Sequence, residues 1–139
     1  MGLQDILNQV KSVLNETREL QASPVVFNAD HVPDTVQHKS YRLVAGPIQS
    51  SAVSQGNGSL CSEKSRLLFV YVAVRNRNNE QKAHEELVRL EELIEKNLLT
   101  DPRTAVYLNT LQNVETDADA ENLFWIMEMV FDFDYRRDF

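Results

Sequence analysis

The segment at residues 123–135 constrains the fold of this chain more than any other part of the sequence. Its even positions change from apolar to acidic along the segment, whereas its odd positions are all apolar: Leu123, Trp125, Met127, Met129, Phe131, Phe133 and Tyr135. Because successive side chains of a strand point to opposite faces, this alternation predicts a strand with one buried face. Residues 66–75 are apolar at both parities, which predicts a second strand that is buried on much of both faces.

The rest of the chain supplies helices for such a sheet. Apolar residues recur at steps of three and four in two segments, and Pro102 fits the first turn of a third helix. The predicted elements are helices at 3–20, 79–98 and 100–111, strands at 23–27 and 40–48, a short strand near Val114, and a flexible, Ser- and Gly-rich loop at 49–65. This order predicts one α+β domain over residues 1–139, with helices packed on one face of a mainly antiparallel sheet.

Composition limits the class of protein. The 139 residues suit a single domain, and the single cysteine, Cys61, excludes an intrachain disulfide, which favours synthesis in a reducing compartment. No apolar run approaches the ~20 residues that a bilayer-spanning helix needs, and the N-terminal residues do not have the pattern of a signal peptide. We therefore expect no membrane association.

The net charge of −7 is unevenly distributed. Residues 1–78 hold 8 Lys and Arg against 6 Asp and Glu, whereas residues 79–139 hold 6 against 15. An acidic half repels phosphate, so nucleic acid is not expected as a tightly bound ligand. The same charge also suits a protein past which DNA must slide without adhering.

Residues of the kinds used in catalysis are present, but they form no recognisable motif. No pair among the three histidines has the i,i+4 spacing of a helical metal site, and Cys61 has no histidine near it in sequence. Glu128, Asp132 and Asp134 share one predicted strand face, which suits either paired catalytic carboxylates or Mg²⁺ ligands. Because a solvent-facing strand gives the same alternation without any chemistry, we predict no enzyme activity, no metal and no cofactor.

The predicted sheet has more apolar surface than the helices can cover. Val44, Phe124, Ile126 and Val130 lie on the side opposite the predicted helices. Apolar surface of this kind is typical of subunit packing, although the loop at 49–65 could instead fold over it.

The layout of the whole chain resembles the tail terminator, or tail completion, proteins of long-tailed bacteriophages. The resemblance rests on the amphipathic N-terminal helix, the segment HVPDTVQHKSYRLVAG leading into a strand, the Ser- and Gly-rich excursion, LLFVYVAVR, the acidic two-helix segment and the closing MEMVFDFDY. It implies a structural virion protein, assembled in the host cytoplasm, that forms a homohexameric ring at the head-proximal end of the tail tube. Such a ring ends tube polymerisation, contacts the tail tube protein and the head-side connector or stopper protein, and lets DNA pass.

A ring of this kind suggests roles for several charged and apolar residues. Contacts with a neighbouring subunit or a partner are predicted for Arg66, Arg75, Arg77, Arg136, Arg137, Phe124 and Ile126. A position facing the lumen is predicted for Glu128, Asp132 and Asp134, or for the acidic segment 115–121, because carboxylates there would prevent adhesion of DNA. The alternatives are a head–tail adaptor of the neck, a small acidic binding or chaperone module, and a hydrolase that uses the strand carboxylates.

Overall fold

The computed structural model describes residues 2–27, 32–33, 35–56, 59–75, 80–117 and 124–138. Within these ranges it describes the side chains of all residues except 50, 54–56, 59–61, 80, 111–117, 137 and 138.

The described residues form two helices and one five-stranded sheet. In chain order the elements are α1 (Leu3–Glu16), β1 (Gln21–Ala22), β2 (Ser40–Gly56), β3 (Ser59–Arg75), α2 (Glu80–Thr100), β4 (Leu108–Asp117) and β5 (Phe124–Asp138). The strands lie in the order β1-β2-β3-β5-β4, and every neighbouring pair is antiparallel except the short parallel pair β1–β2. The predicted α+β class with a mainly antiparallel sheet is therefore confirmed.

The main core lies between one face of the sheet and both helices. Val70 pairs opposite Met129 and Val72 opposite Met127, and all four side chains are fully buried. The helical residues buried in the same cluster are Ile6, Val10, Val13 and Leu14 of α1 and Ala83, Leu87, Leu90, Ile94 and Leu98 of α2. The stripes of apolar residues that predicted the helices thus provide their buried faces, and the odd-numbered face of β5 provides part of the opposite wall.

The segment predicted as a loop at 49–65 is a β-hairpin instead. β2 continues to Gly56 and β3 starts at Ser59, and their ladder runs in unbroken register from Ser50 opposite Ser65 to Gly56 opposite Ser59. β5 extends this ladder, because Asp138 pairs opposite Cys61. Polar composition suggested a loop, but two neighbouring strands supply backbone hydrogen bonds whatever the side chains are.

Two further predicted elements are wrong. The residues expected to form a third helix make turns at 102–107 and then strand β4, because β5 provides a partner strand from Leu108 onwards. The strand expected at 23–27 is also not formed: a turn in which the Ser23 hydroxyl bonds both the amide and the carbonyl of Val25 replaces it. The short strand predicted near Val114 does form, as part of β4.

An ion-pair cluster joins the end of α1 to the end of α2. The Arg103 guanidinium donates to both carboxylate oxygens of Glu16 and to both carboxylate oxygens of Asp101. Hydrogen bonds from the Arg103 side chain, and next from its backbone N–H, lower the pKa of Asp101 from 3.8 to about 2. The pKa of Glu16 is lowered for the same first reason.

The cluster predicts a specific loss of stability in acid. Because the folded pKa of Asp101 is depressed, its contribution is complete above pH 4 and disappears as the pH falls towards 2. We expect Asp101→Asn to flatten the fall in the free energy of unfolding between pH 4 and pH 2, measured by urea denaturation. Glu92→Gln, at an exposed acid of α2, is the matched control and should keep the wild-type slope. Equal slopes for the wild type and Asp101→Asn would contradict this account.

Candidate functional site: the face of the sheet opposite the helices

The sheet has a second face, opposite the helices, formed by β2, β3 and β5. On this side, Arg42 lies opposite Tyr71, Ser65 opposite Asp134 and Arg136 opposite Glu63. We define the open face as nine further residues of the same side, eight of them placed by register and Gly46 by its contact with Phe69: Val44, Gly46, Leu67, Phe69, Tyr71, Glu128, Val130, Asp132 and Asp134. Asp134 is exposed and the other eight are partly buried. Among the described residues, those that pack on this side cover only one end of it.

An apolar row crosses the middle of the open face. Val44 pairs opposite Phe69, which in turn pairs opposite Val130. The Phe69 ring stacks on Tyr71, with ring centres 6.2 Å apart and planes 12° apart. The ring also lies over Gly46, where a Cβ atom would stand 2.5 Å from a ring carbon of Phe69. Glycine at this position therefore allows the aromatic ring to lie flat against β2.

The segment that contains Phe27, Val32 and Val36 covers one end of this side of the sheet, at the start of β5. Phe27, Val32 and Val36 form a second buried cluster with Phe124 and Ile126, whose exposed fraction is 0%. Sequence reasoning expected apolar contacts with a neighbouring subunit here. The chain itself supplies the cover, so a subunit contact at these two residues is not proposed.

Arg75 takes part in this cover. Its guanidinium carbon lies 5.0 Å from the centre of the Phe124 ring, and its Nη1 donates to the Val36 carbonyl at 3.3 Å. The contact is a cation–π interaction within the chain, so Arg75 has an internal role, and its predicted partner contact stays a prediction. Arg77, predicted for the same kind of contact, lies outside the described residues.

The other predicted arginines lie at the opposite end of β3 and β5. Arg66 donates from Nε to the Tyr135 hydroxyl at 3.0 Å and from Nη1 to the Gly46 carbonyl at 3.1 Å. It therefore ties β2, β3 and β5 together, and its predicted partner contact stays a prediction. Arg136 is exposed and lines a cavity between the β2–β3 hairpin and the turn before β4. The side chain of Arg137 lies outside the described residues.

The three carboxylates predicted to share a strand face do share one. Glu128, Asp132 and Asp134 lie opposite Tyr71, Leu67 and Ser65, respectively. Asp132 accepts a hydrogen bond from the Ser65 hydroxyl at 2.7 Å, which holds its carboxylate against β3. The open face thus changes from apolar at its centre to acidic along β5. The side chains of the acidic segment 115–121 lie outside the described residues.

A cavity of about 510 Å³ lies where the hairpin of β2 and β3 passes the turn before β4. Its wall combines small, aromatic and charged side chains: Ser51, Ala52, Glu63, Lys64, Ser65, Val106, Tyr107, Asp134, Tyr135 and Arg136. Lys64 donates to the Ser51 hydroxyl at 3.1 Å. The four charged groups are two of each sign, so the lining selects for no ligand charge.

The described histidines make structural contacts. His38 Nδ1 accepts a hydrogen bond from the backbone N–H of Arg75 at 3.0 Å, and its Nε2 lies 3.4 Å from Glu86. His84 packs edge-on against Trp125. Within the described part of the chain, no group of three or more His, Cys, Asp or Glu side chains is placed to hold a metal ion.

Sequence reasoning found part of this site. It identified Val44 and Val130 as apolar residues without helix cover, and it identified the acidic positions of β5. It missed Leu67 and Phe69, although their apolar character at odd positions of β3 was visible in the sequence. The role of Gly46 was not visible, because it depends on the ring of a residue 23 positions later in the chain.

Comparison with known proteins adds no assignment. No protein-family model matches the chain, and no curated protein matches it. No helix in the described residues is both long enough and apolar enough to cross a membrane.

The close contact at Gly46 gives a test of the open face. Gly46→Ala places a Cβ against the Phe69 ring and 3.0 Å from the Leu67 carbonyl oxygen, so we expect a loss of about 1–3 kcal/mol in the free energy of unfolding. Adding Phe69→Leu should recover part of that loss, which a double-mutant cycle by urea denaturation measures. An alanine variant as stable as the wild type, or strictly additive losses, would contradict the described packing.

Proposed function

We propose that the chain is a structural subunit of an oligomeric ring, namely the tail terminator of a long-tailed bacteriophage. The observation that carries the proposal is the division of the sheet into two unlike faces. One face is closed by both helices, and the other is apolar at its centre and acidic along β5. The resemblance of the whole-chain layout to tail terminators supplies the particular assembly.

The unlike faces suit a wall between solvent and a channel. With the helices outward, the polar sides of α1 and α2 face solvent, and the open face points to the inside of the ring. Glu128, Asp132 and Asp134 then line the passage. Carboxylates repel the phosphates of a passing duplex, and they offset the charge of Arg136 on the same side of β5, which limits the adhesion of DNA.

A passive structural role also agrees with the chemistry of the described residues. Asp132 is engaged with Ser65, and Arg66 and Arg75 are engaged within the chain. The three carboxylates lie along one strand, opposite Tyr71, Leu67 and Ser65. Such an arrangement favours electrostatic shaping of a surface over proton transfer, which needs a partner group placed at a reacting atom.

The proposal predicts that the chain limits the growth of tail tubes. The full-length chain is added to a polymerising tail tube protein of a long-tailed bacteriophage, and tube lengths are measured by negative-stain electron microscopy. We expect shorter tubes, each with a ring of this chain at one end, because the ring blocks further addition of tube subunits. An unchanged length distribution without end-bound chain would contradict the proposal and favour the binding or chaperone module.

Charge reversal tests whether the carboxylates of β5 line the passage. We expect Asp134→Lys rings to retain duplex DNA in a salt-dependent manner, since a lysine at this position meets the phosphates. Glu92→Lys reverses an acid that is also exposed, on α2, and should leave DNA unbound. Retention of DNA by both variants to the same extent would place neither residue in the passage.

A further inference from the structure

We propose that copies of this chain join head to tail by backbone pairing between the free edge of β2 and the free edge of β4. The inference deepens the proposed function and rests on its ring, because it names the surface through which the ring closes. β2 and β4 are the outermost long strands of the sheet, so their free edges lie at opposite ends of the strand order.

The free edge of β2 is built in two unlike halves. Near its start, β1 pairs only with Ser40 and Tyr41, and the register then shifts twice around Pro47. A proline and bulges are devices that protect an edge strand from added strands. The second half, Ser50–Gly56, has regular register with β3, holds no charged residue and no proline, and pairs on its other side with no described residue.

This second half is therefore an edge without the usual protection. Ala52 and Val53 are exposed, Val53 with 66% of its surface accessible. An exposed, regular and uncharged edge offers a row of unpaired N–H and C=O groups to another strand. A chain that keeps such an edge either aggregates or pairs it with a specific partner.

The free edge of β4 is the proposed partner of the free half of β2. β4 pairs with β5 on one side, and no described strand pairs with its other side. The sequence of β4 carries two acids and no base, whereas the free half of β2 carries no charged residue. Two β4 edges placed together would bring acids beside acids, so the charge of β4 disfavours pairing with itself and favours pairing with the uncharged edge of β2.

Strand direction makes this junction continuous with the rest of the sheet. The four long strands β2, β3, β5 and β4 alternate in direction, so β4 runs opposite to β2. Rotation about an axis along the strands preserves their direction, and it brings β2 of one copy beside β4 of the next in antiparallel orientation. An even number of alternating strands thus repeats around a ring without a break, as a heterologous interface requires.

The two edges lie at different heights along the strands, so their pairing requires a stagger in register. β4 lies beside residues 125–133 of β5, whereas the free half of β2 lies level with residues 134–138 and beyond. Strands in closed sheets are tilted, and each turn around the sheet accumulates a stagger in register. A staggered junction brings the free half of β2 beside β4 of the neighbouring copy.

The first arm of the test places a charge on the β2 edge. Val53→Lys should raise the concentration at which half of the full-length chains are assembled by about tenfold or more, measured by light scattering across a concentration series. Val26→Lys is the matched control, since Val26 has nearly the same exposure, 65%, and lies outside both edges. Ala52→Lys replaces Val53→Lys if thermal melting shows that the latter does not fold.

The second arm tests the β4 edge at Asn109, which is exposed. Asn109→Lys alone should weaken assembly as Val53→Lys does. Mixed in equal amounts, the two variants retain one intact β2 edge and one intact β4 edge. The mixture should therefore form a heterodimer and nothing larger, as native mass spectrometry of an isotopically labelled pair shows.

Several results would overturn the inference. They are a wild type that stays monomeric at every concentration, a Val53→Lys variant that assembles as the wild type does, an Asn109→Lys variant that still dimerises, and a mixture that grows beyond the dimer. Failure here is distinguishable from failure of the proposed function. Tube-capping rings that persist in Val53→Lys would overturn the edge pairing alone, whereas wild-type filaments that Val53→Lys abolishes would support the pairing and contradict the ring.

Discussion

The pairing of β3 with β5 is the interaction on which the rest of the structure depends. These two central strands are matched over fifteen consecutive residue pairs, from Cys61 opposite Asp138 to Arg75 opposite Phe124, without a register shift. One residue of slip would exchange the two faces of the sheet, moving Met127 and Met129 away from the helices. This register therefore determines both the helix-covered core and the composition of the open face.

The two faces use the same strands for different purposes. On the helix side, large apolar residues interlock with stripes from α1 and α2, and this packing provides most of the hydrophobic stabilisation. On the other side, the segment that contains Phe27 and Val36 closes one end, and the remainder stays only partly buried. The proposed wall of a ring, and the proposed edge-to-edge junction, both use the parts of the sheet that the chain itself leaves uncovered.

The sequence predicted the central strands, both helices and the α+β class because each has a strong period in its apolar residues. It did not predict the hairpin at 49–65, since Ser and Gly at those positions carry no apolar period and the ladder depends on the neighbouring backbone. The start of strand β4, residues 108–111, was missed for a related reason: Pro102 and the spacing of Val106 and Tyr107 suit a helix, but β5 offers a partner edge. Likewise, the cover over Phe124 comes from a segment distant in sequence, so local pattern could not distinguish it from a subunit contact.

The central claim is that the open face lines the inside of a closed assembly while the helices lie outside. A cryo-electron microscopy map of the assembled full-length chain tests this claim most directly. The account predicts a ring whose hole is lined by β2, β3, β5 and β4, with Phe69 and Asp134 towards the axis and α2 on the outer wall. A ring whose hole is lined by α1 or α2, or a particle without a central hole, would contradict it.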